Sequence, residues 1–479
     1  MIENKTFDEI QVGDSATLTR TLTREDTELF AVISGDYNPT HLDDEWAAKL
    51  LKTQKISGHG MWGGSLISAL LGNELPGPGA VYKSQNLTFH RAVSLGDTLT
   101  LTITVQEKNP ANKHIVFHCT ACNQHGEQVI DGTAEVIAPT EKVSMPAGDL
   151  PEVRVRHRHH VFENMIEKVN GLPPVKVAVC HPCDEVSLAG PIEAARLGII
   201  DPVLIGPEEK IRSLAAELGL DISPYRIVDV EHSHAAAETS VAMCRSGECE
   251  ALMKGSLHTD ELMHEVASRD HGLRTGRRIS HIFVMDVPTY PKPLYITDAA
   301  INIYPTLEDK VDIVQNCIDL VQVMGVEKPL VAILSAVETV YPKITSTIEA
   351  AALCKMADRG QIKGGILDGP LAFDNAISAE AARIKKIDSP VAGKADILLV
   401  PDLEAGNMLA KQLSYLAEAD AAGIVLGARV PIILTSRADS AKARLASCAV
   451  AAMYAQARRT GQKKTMTGAG AGTGTGAKA

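Results

Sequence analysis

The sequence predicts a multidomain chain, an α+β domain followed by an α/β domain of two subdomains. Three observations predict it. Short alternating apolar runs fill the first part of the chain, to about residue 140. Strand–helix alternation takes over from residue 175. Between them, residues 138–152 read APTEKVSMPAGDLPE, with three prolines, a glycine and no periodicity, which is linker composition.

In the first domain, 1–140, the stretches 81–93, 97–107, 114–122 and 128–137 alternate with a period of two and read as consecutive strands. Gly96-Asp97 and Gly126-Glu127 mark two of the turns. One apolar helix is expected over 63–72, ahead of the strands. One helix and four or more antiparallel strands make an α+β pattern.

The linker is placed at 141–155 and the second domain at 156–462. RVRHRHH, 154–160, leads directly into the amphipathic FENMIEKV, so a solvated first helical turn is favoured there over a metal site. VKVAVC, DPVLIG, YRIVDV, EALMKG, PLYITDA, KPLVAILS, IKGGILDG, ADILLVP and VPIILTS are short apolar runs followed by helical patterns. Parallel strands with crossover helices are the expected result. The division expected is one subdomain at roughly 156–297 plus 430–462 and another at 298–429, with a cleft between them. The Gly/Thr/Ala-rich end, 463–479, is expected to be disordered.

Composition excludes several classes. A formal net charge of -12 argues against nucleic acid or an anionic membrane as the main partner. The opening residues are polar and acidic, and no run of about 18 apolar residues follows, so a cytoplasmic chain is expected. The nine cysteines suit a reducing compartment. Cys119 and Cys122 lie an odd offset apart in an alternating strand and face opposite ways. Cys180-His181-Pro182-Cys183 sits where a redox motif would, between a strand and a helix. The plainer reading is two small side chains at a turn.

The chemistry of the first domain centres on SGDYNPTH, 34–41. Hydrating a double bond beside a thioester needs a base for water, an acid for the α-carbon and donors for the enolate oxygen. Asp36 and His41 are spaced to clasp one water on a turn stiffened by Pro39. The glycines of SGHGM, 57–61, precede the apolar helix, where an N–H suits an oxyanion. FAVISGDYNPTHLDDEWA and SGHGMWGGSLISALLGNELPG resemble the signature and central helix of MaoC-like (R)-specific enoyl-CoA hydratases over about residues 5–138. The resemblance implies a hot-dog fold, a curled antiparallel sheet around one helix. It implies Asp36 and His41 as the catalytic pair, Gly60 N–H as oxyanion donor, Asn38 as loop orienter and Ser68 as a pocket serine.

In the second domain, LTSRADS places a hydroxyl, a guanidinium and backbone N–H groups where a strand opens into a helix, which suits phosphate or developing oxyanion charge. Asp368 and Asp374 are read as flanking a Gly-Pro turn at another strand end. Lys254, in MKGSLH, offers a cation at a third. VPDLEAGNM, DGPLAFD, LTSRADS and GLRTGRRISHIFVM together resemble the phosphate acetyltransferase/phosphate butyryltransferase family from about 158 to 460. The resemblance implies acyl transfer between coenzyme A and inorganic phosphate in a cleft between two α/β subdomains. It implies that Ser436 steadies the thiolate or oxyanion, that Arg437 holds phosphate or carbonyl, and that Arg277 or Arg278 binds anionic substrate. The acetyl branch has an aspartate seven residues after the serine; here that position is Ala443. Asp439, Asp298 and Asp374 are the candidate bases in its place.

The expectation is a bifunctional enzyme, an enoyl-CoA hydratase fused to a phosphate acyltransferase. Its substrates would be coenzyme A thioesters and phosphate, with no bound cofactor and no metal. A homo-oligomer is expected. The alternative is a single-activity acyltransferase whose first domain only binds acyl-CoA or drives oligomerisation. No convincing G-x-G-x-x-G stands between a strand and a helix, which leaves little support for a dinucleotide role.

Overall fold

The structure is a computed structural model and describes residues 1–146, 148, 153, 155, 160–435 and 440–461. The expected tail and most of the RVRHRHH tract lie outside the described residues. The chain divides into two compact units, Met1–Arg156 and His157–Ala479.

The first unit is built on one five-stranded antiparallel sheet. Its spatial order is Ser15–Thr21, Thr98–Asn109, His114–Cys122, Gln128–Ile137, Val81–Phe89. The period-two pattern holds: every second residue of His114–Cys122 is buried, Cys119 among them, while Cys122 lies on the opposite face. Helix Gly60–Asn73 supplies Leu66, Ile67, Leu70 and Leu71 to the core, against Leu99, Leu101, Ile103 and Phe117 of the sheet. Strand Ser15–Thr21 falls outside the expected set; its sequence, SATLTRT, is mostly polar, and its outer threonines pair with threonines of the neighbouring strand. Helix Arg24–Ser34 was not expected either. Thr23 and Asp26 form its capping box.

The second unit holds one eleven-stranded sheet flanked by helices. On one side Ile227–Asp229, Ile200–Gly206, Val175–Cys180, Ala251–Lys254 and Ile432–Ile433 run parallel. On the other side Leu294–Thr297, Ile397–Leu399, Leu330–Leu334 and Ile366–Leu371 also run parallel to one another. Asp420–Leu426 and Ser280–Asp286 join the halves, and each is antiparallel to both its neighbours. The all-parallel expectation therefore fails at the centre of the sheet. Neither joining strand was expected, since DAAGIVL opens on small residues and SHIFVMD lies in a polar context. The expected Gly-Pro turn between Asp368 and Asp374 is also corrected. Asp368, Gly369 and Pro370 lie within strand Ile366–Leu371, the last of the sheet, where an edge tolerates proline.

Candidate active sites

The loop of the first unit is set by local hydrogen bonds. Gly35 ends the helix Arg24–Ser34 with φ of 73°, a left-handed conformation that favours glycine. Asp36 Oδ1 accepts from Asn38 N–H at 3.2 Å. Asn38 Oδ1 in turn accepts from Thr40 N–H at 3.1 Å and Thr40 Oγ1 at 3.0 Å, capping the short helix Pro39–Leu42 that carries His41.

The His41 ring is oriented from below. Its Nδ1 lies 2.7 Å from the Ser57 carbonyl and must donate to it, which leaves the lone pair on Nε2. His59, which the sequence reading passed over, supplies a second imidazole. It is buried, its Nε2 donates to the Asp36 carbonyl at 2.9 Å, and its ring lies 4.0 Å from that of His41. Asp36, His41 and His59 each offer a ligand atom within 4.8 Å of the others, the one group among the described residues that could hold a metal ion. Asp36 is exposed and His41 half-buried. Gly60 follows His59 as the first residue of the central helix, where N–H groups lack intrahelical partners. Ser68 is exposed on the same helix, roughly 12 Å further along its axis at 1.5 Å per residue.

The second unit holds a cavity of about 610 Å³ beside the strands where direction reverses. Lys254 lines it from the end of one parallel strand, His281 and Phe283 from one joining strand, and Ala421 and Asp420 from the other. Ser436, Arg437 and Asp439 lie outside the described residues. Thr435 and Ser440, which flank that segment, both line the cavity. Ser440 Oγ caps the following helix by accepting from Ala443 N–H at 3.1 Å, and buried Ala443 lines the same wall.

The remaining carboxylates and arginines sit elsewhere. Asp298 is buried, which pushes its carboxyl up, and it accepts from Ala300 and Ile301 N–H at 2.9 and 3.0 Å. Asn302 donates to it from both backbone and side chain, at 3.2 and 2.6 Å. Asp298 thus ties down a turn whose Ala300 reaches the cavity wall. Arg278 Nε donates to Asn302 Oδ1 at 2.6 Å, and Arg277 pairs with Asp319 at 2.5 Å; neither arginine is in the cavity lining. Asp374 is exposed, pairs with Lys385 at 3.4 Å and is not in the lining either. Among the described lining residues the one carboxylate is Asp420, which the sequence reading missed. It pairs with Lys442 at 3.2 Å, and Lys442 also pairs with Glu163 at 2.9 Å.

The Cys180–Cys183 turn packs against the start of the Lys254 loop. Ser256 Oγ donates to the His181 carbonyl at 3.0 Å. Burial pushes the Cys180 thiol up to about 12 and raises Cys183 as well. A redox dithiol needs the opposite shift. Iodoacetamide at pH 7 is expected to leave Cys180 unmodified in the folded protein and to label it in denaturant; peptide mass spectrometry checks this, and rapid labelling of folded protein would contradict it.

Comparison with known proteins finds relatives for both units. A family model described as "Phosphate acetyl/butaryl transferase" matches residues 235–452, and one described as "MaoC like domain" matches 9–124. A phosphate acetyltransferase of Rhizobium meliloti is 67% identical over 301 residues, spanning 63% of this chain and 95% of the relative. The chain belongs to the phosphate acetyl/butyryl transferase family. Its N-terminal part is a MaoC-like hot-dog domain. A second member of the acyltransferase family, a phosphate butyryltransferase of Clostridium acetobutylicum, is 41% identical over 61% of this chain and 98% of its own length. The crystal structure of a branched-chain phosphotransacylase from Enterococcus faecalis shares 28% identity, covering 59% of this chain and 99% of that one, with a TM-score of 0.53. The acyltransferase match contains both joining strands and the Thr435–Ser440 segment.

Proposed function

We propose that the chain carries two active sites that both handle coenzyme A thioesters. In the second unit, phosphate attacks the thioester carbonyl, the tetrahedral intermediate collapses, and acyl phosphate and coenzyme A leave. The observation that carries this reading is the 610 Å³ cavity bordered by Thr435 and Ser440, because the segment between them contains Ser436 and Arg437. Those two side chains supply a hydroxyl and a bidentate cation for the oxyanion and phosphate. Lys254 adds positive charge from the neighbouring strand, which pairs with Ile432–Ile433. The reaction needs no bound cofactor. The 67% identity to a protein named phosphate acetyltransferase favours acetyl over butyryl as the acyl group.

In the first unit, a water held between the Asp36 carboxylate and His41 Nε2 adds to the β-carbon of an enoyl thioester. The α-carbon takes the proton, and Gly60 N–H holds the enolate oxygen at the start of the central helix. The donation of His41 Nδ1 to Ser57 supports this, because in the neutral ring it puts the lone pair on Nε2. The chain is a homo-oligomer in this reading; exposed Val81, Tyr82 and Phe89 on the edge strand of the first sheet support it.

In the reverse direction the acyltransferase must deprotonate a thiol, and Ala443 cannot. Asp420 is placed to do so from the cavity wall. Asp420→Asn is expected to slow coenzyme A acetylation from acetyl phosphate by about 100-fold, within the range for general-base loss, with KM for acetyl phosphate little changed. Steady-state kinetics checks this. A wild-type rate would shift the role to Asp439.

A further inference from the structure

His281 is a polar side chain in the wrong place for a core residue. It stands on the joining strand Ser280–Asp286, is about 1% exposed, and lines the cavity beside Phe283. The two rings meet edge to face at 4.4 Å. Its Nδ1 is buried and has no hydrogen-bond partner. An orphaned buried polar atom costs stability, and a structural role alone would be served by an apolar ring. The backbone also makes room for this imidazole. A Cβ on Gly423, in the next strand, would lie 3.0 Å from His281 Nε2 and 2.7 Å from the Leu434 carbonyl. Glycine at that position leaves the space the ring occupies.

The protonation state is fixed by the same burial. It pushes the imidazole down to about 3, so the ring is neutral at physiological pH. A neutral imidazole offers one N–H donor and one lone pair and carries no charge into the apolar part of the site. Its neighbours in the lining divide the other tasks: Lys254 and Lys411 bring positive charge, and Asp420 brings negative charge. Phe283, Ala419 and Ala421 add apolar surface to the lining.

We propose that His281 is the uncharged hydrogen-bonding group of the acyl subsite, donating to the carbonyl oxygen of the bound thioester or acyl phosphate. The inference rests on reading this cavity as the acyl-transfer site. The bond orients the carbonyl for attack and strengthens as negative charge builds on its oxygen. It also gives the buried imidazole a hydrogen-bond partner.

The test compares the full-length wild type with His281→Gln and His281→Phe. The assay is phosphate-dependent release of thiol from acetyl-CoA, run alongside thermal melting and calorimetric titration with coenzyme A. His281→Phe is expected to lower kcat by about 30-fold or more while keeping coenzyme A affinity within about threefold and melting at or above the wild-type temperature. His281→Gln, which keeps a donor, is expected to recover most of kcat. Wild-type kcat in His281→Phe would overturn the proposal. Equal losses in both variants together with a lowered melting temperature would also overturn it, since that pattern marks a packing role. Absence of phosphate-dependent thiol release in the wild type would overturn the acyl-transfer reading itself, and this proposal with it.

Discussion

Asp36→Asn is expected to lower hydration of crotonyl-CoA by about 1,000-fold and to leave phosphate-dependent cleavage of acetyl-CoA unchanged. The substitution keeps the side chain's shape and the acceptor for Asn38 N–H, which lies 3.2 Å from Oδ1. It removes the negative charge that, with His41 Nε2, polarises water. Loss of a positioned acid–base group costs roughly 10²–10⁴ in rate. The loop should survive, because Gly35, the Asn38 cap and the His59 bond to the Asp36 carbonyl involve backbone or neighbouring residues. The two activities are therefore expected to separate cleanly. A parallel fall in both would mean that Asp36 acts on the stability of the whole chain.

The second large effect is expected from Gly255→Ala, which should impair only acyl transfer. A Cβ at Gly255 would lie 2.2 Å from the Cys180 carbonyl oxygen and 2.5 Å from that of His181. Both contacts are with backbone, so no side chain can rotate away. Either the Cys180–Cys183 turn or the Lys254–Ser256 segment must move. Overpacking of this kind costs about 1–3 kcal/mol, a fall in melting temperature of a few degrees for a unit of this size. The segment also carries Lys254 into the cavity wall, so phosphorolysis should drop by tenfold or more. Hydration should stay at the wild-type level. Differential scanning calorimetry with both assays checks the prediction, and unaltered phosphorolysis would contradict it.

Much of the architecture is legible in residue patterns because it depends on local periodicity. His114–Cys122 reads as a strand because every second side chain is buried, and the structure keeps that register. Asp420–Leu426 does not, because Asp-Ala-Ala-Gly carries no alternation and the strand exists only through pairing with Ser280–Asp286 on one side and Ile432–Ile433 on the other. That pairing reverses the direction of the sheet, and no local signal reports it. The same contrast governs the sites. Asp36, Asn38 and His41 lie within one turn, so their grouping shows in eight residues of sequence. His59 joins them only because Ser57 and the central helix fold back over the loop. His281 and Asp420 meet at one cavity because two reversed strands lie side by side. Asp298 and Asp374 show the reverse contrast. Each stands near a strand end in sequence, yet one is held by backbone donors and the Asn302 amide and the other faces solvent beside Lys385.

The central claim is that one chain holds two working acyl-CoA sites. Its most direct test is a single preparation of full-length wild type assayed for crotonyl-CoA hydration, by loss of the conjugated enoyl thioester's absorbance, and for phosphate-dependent release of free thiol from acetyl-CoA. Both activities are predicted, the second vanishing when phosphate is omitted. Thiol release without any hydration across a panel of enoyl chain lengths would contradict the account and leave the first unit as a binding or assembly module.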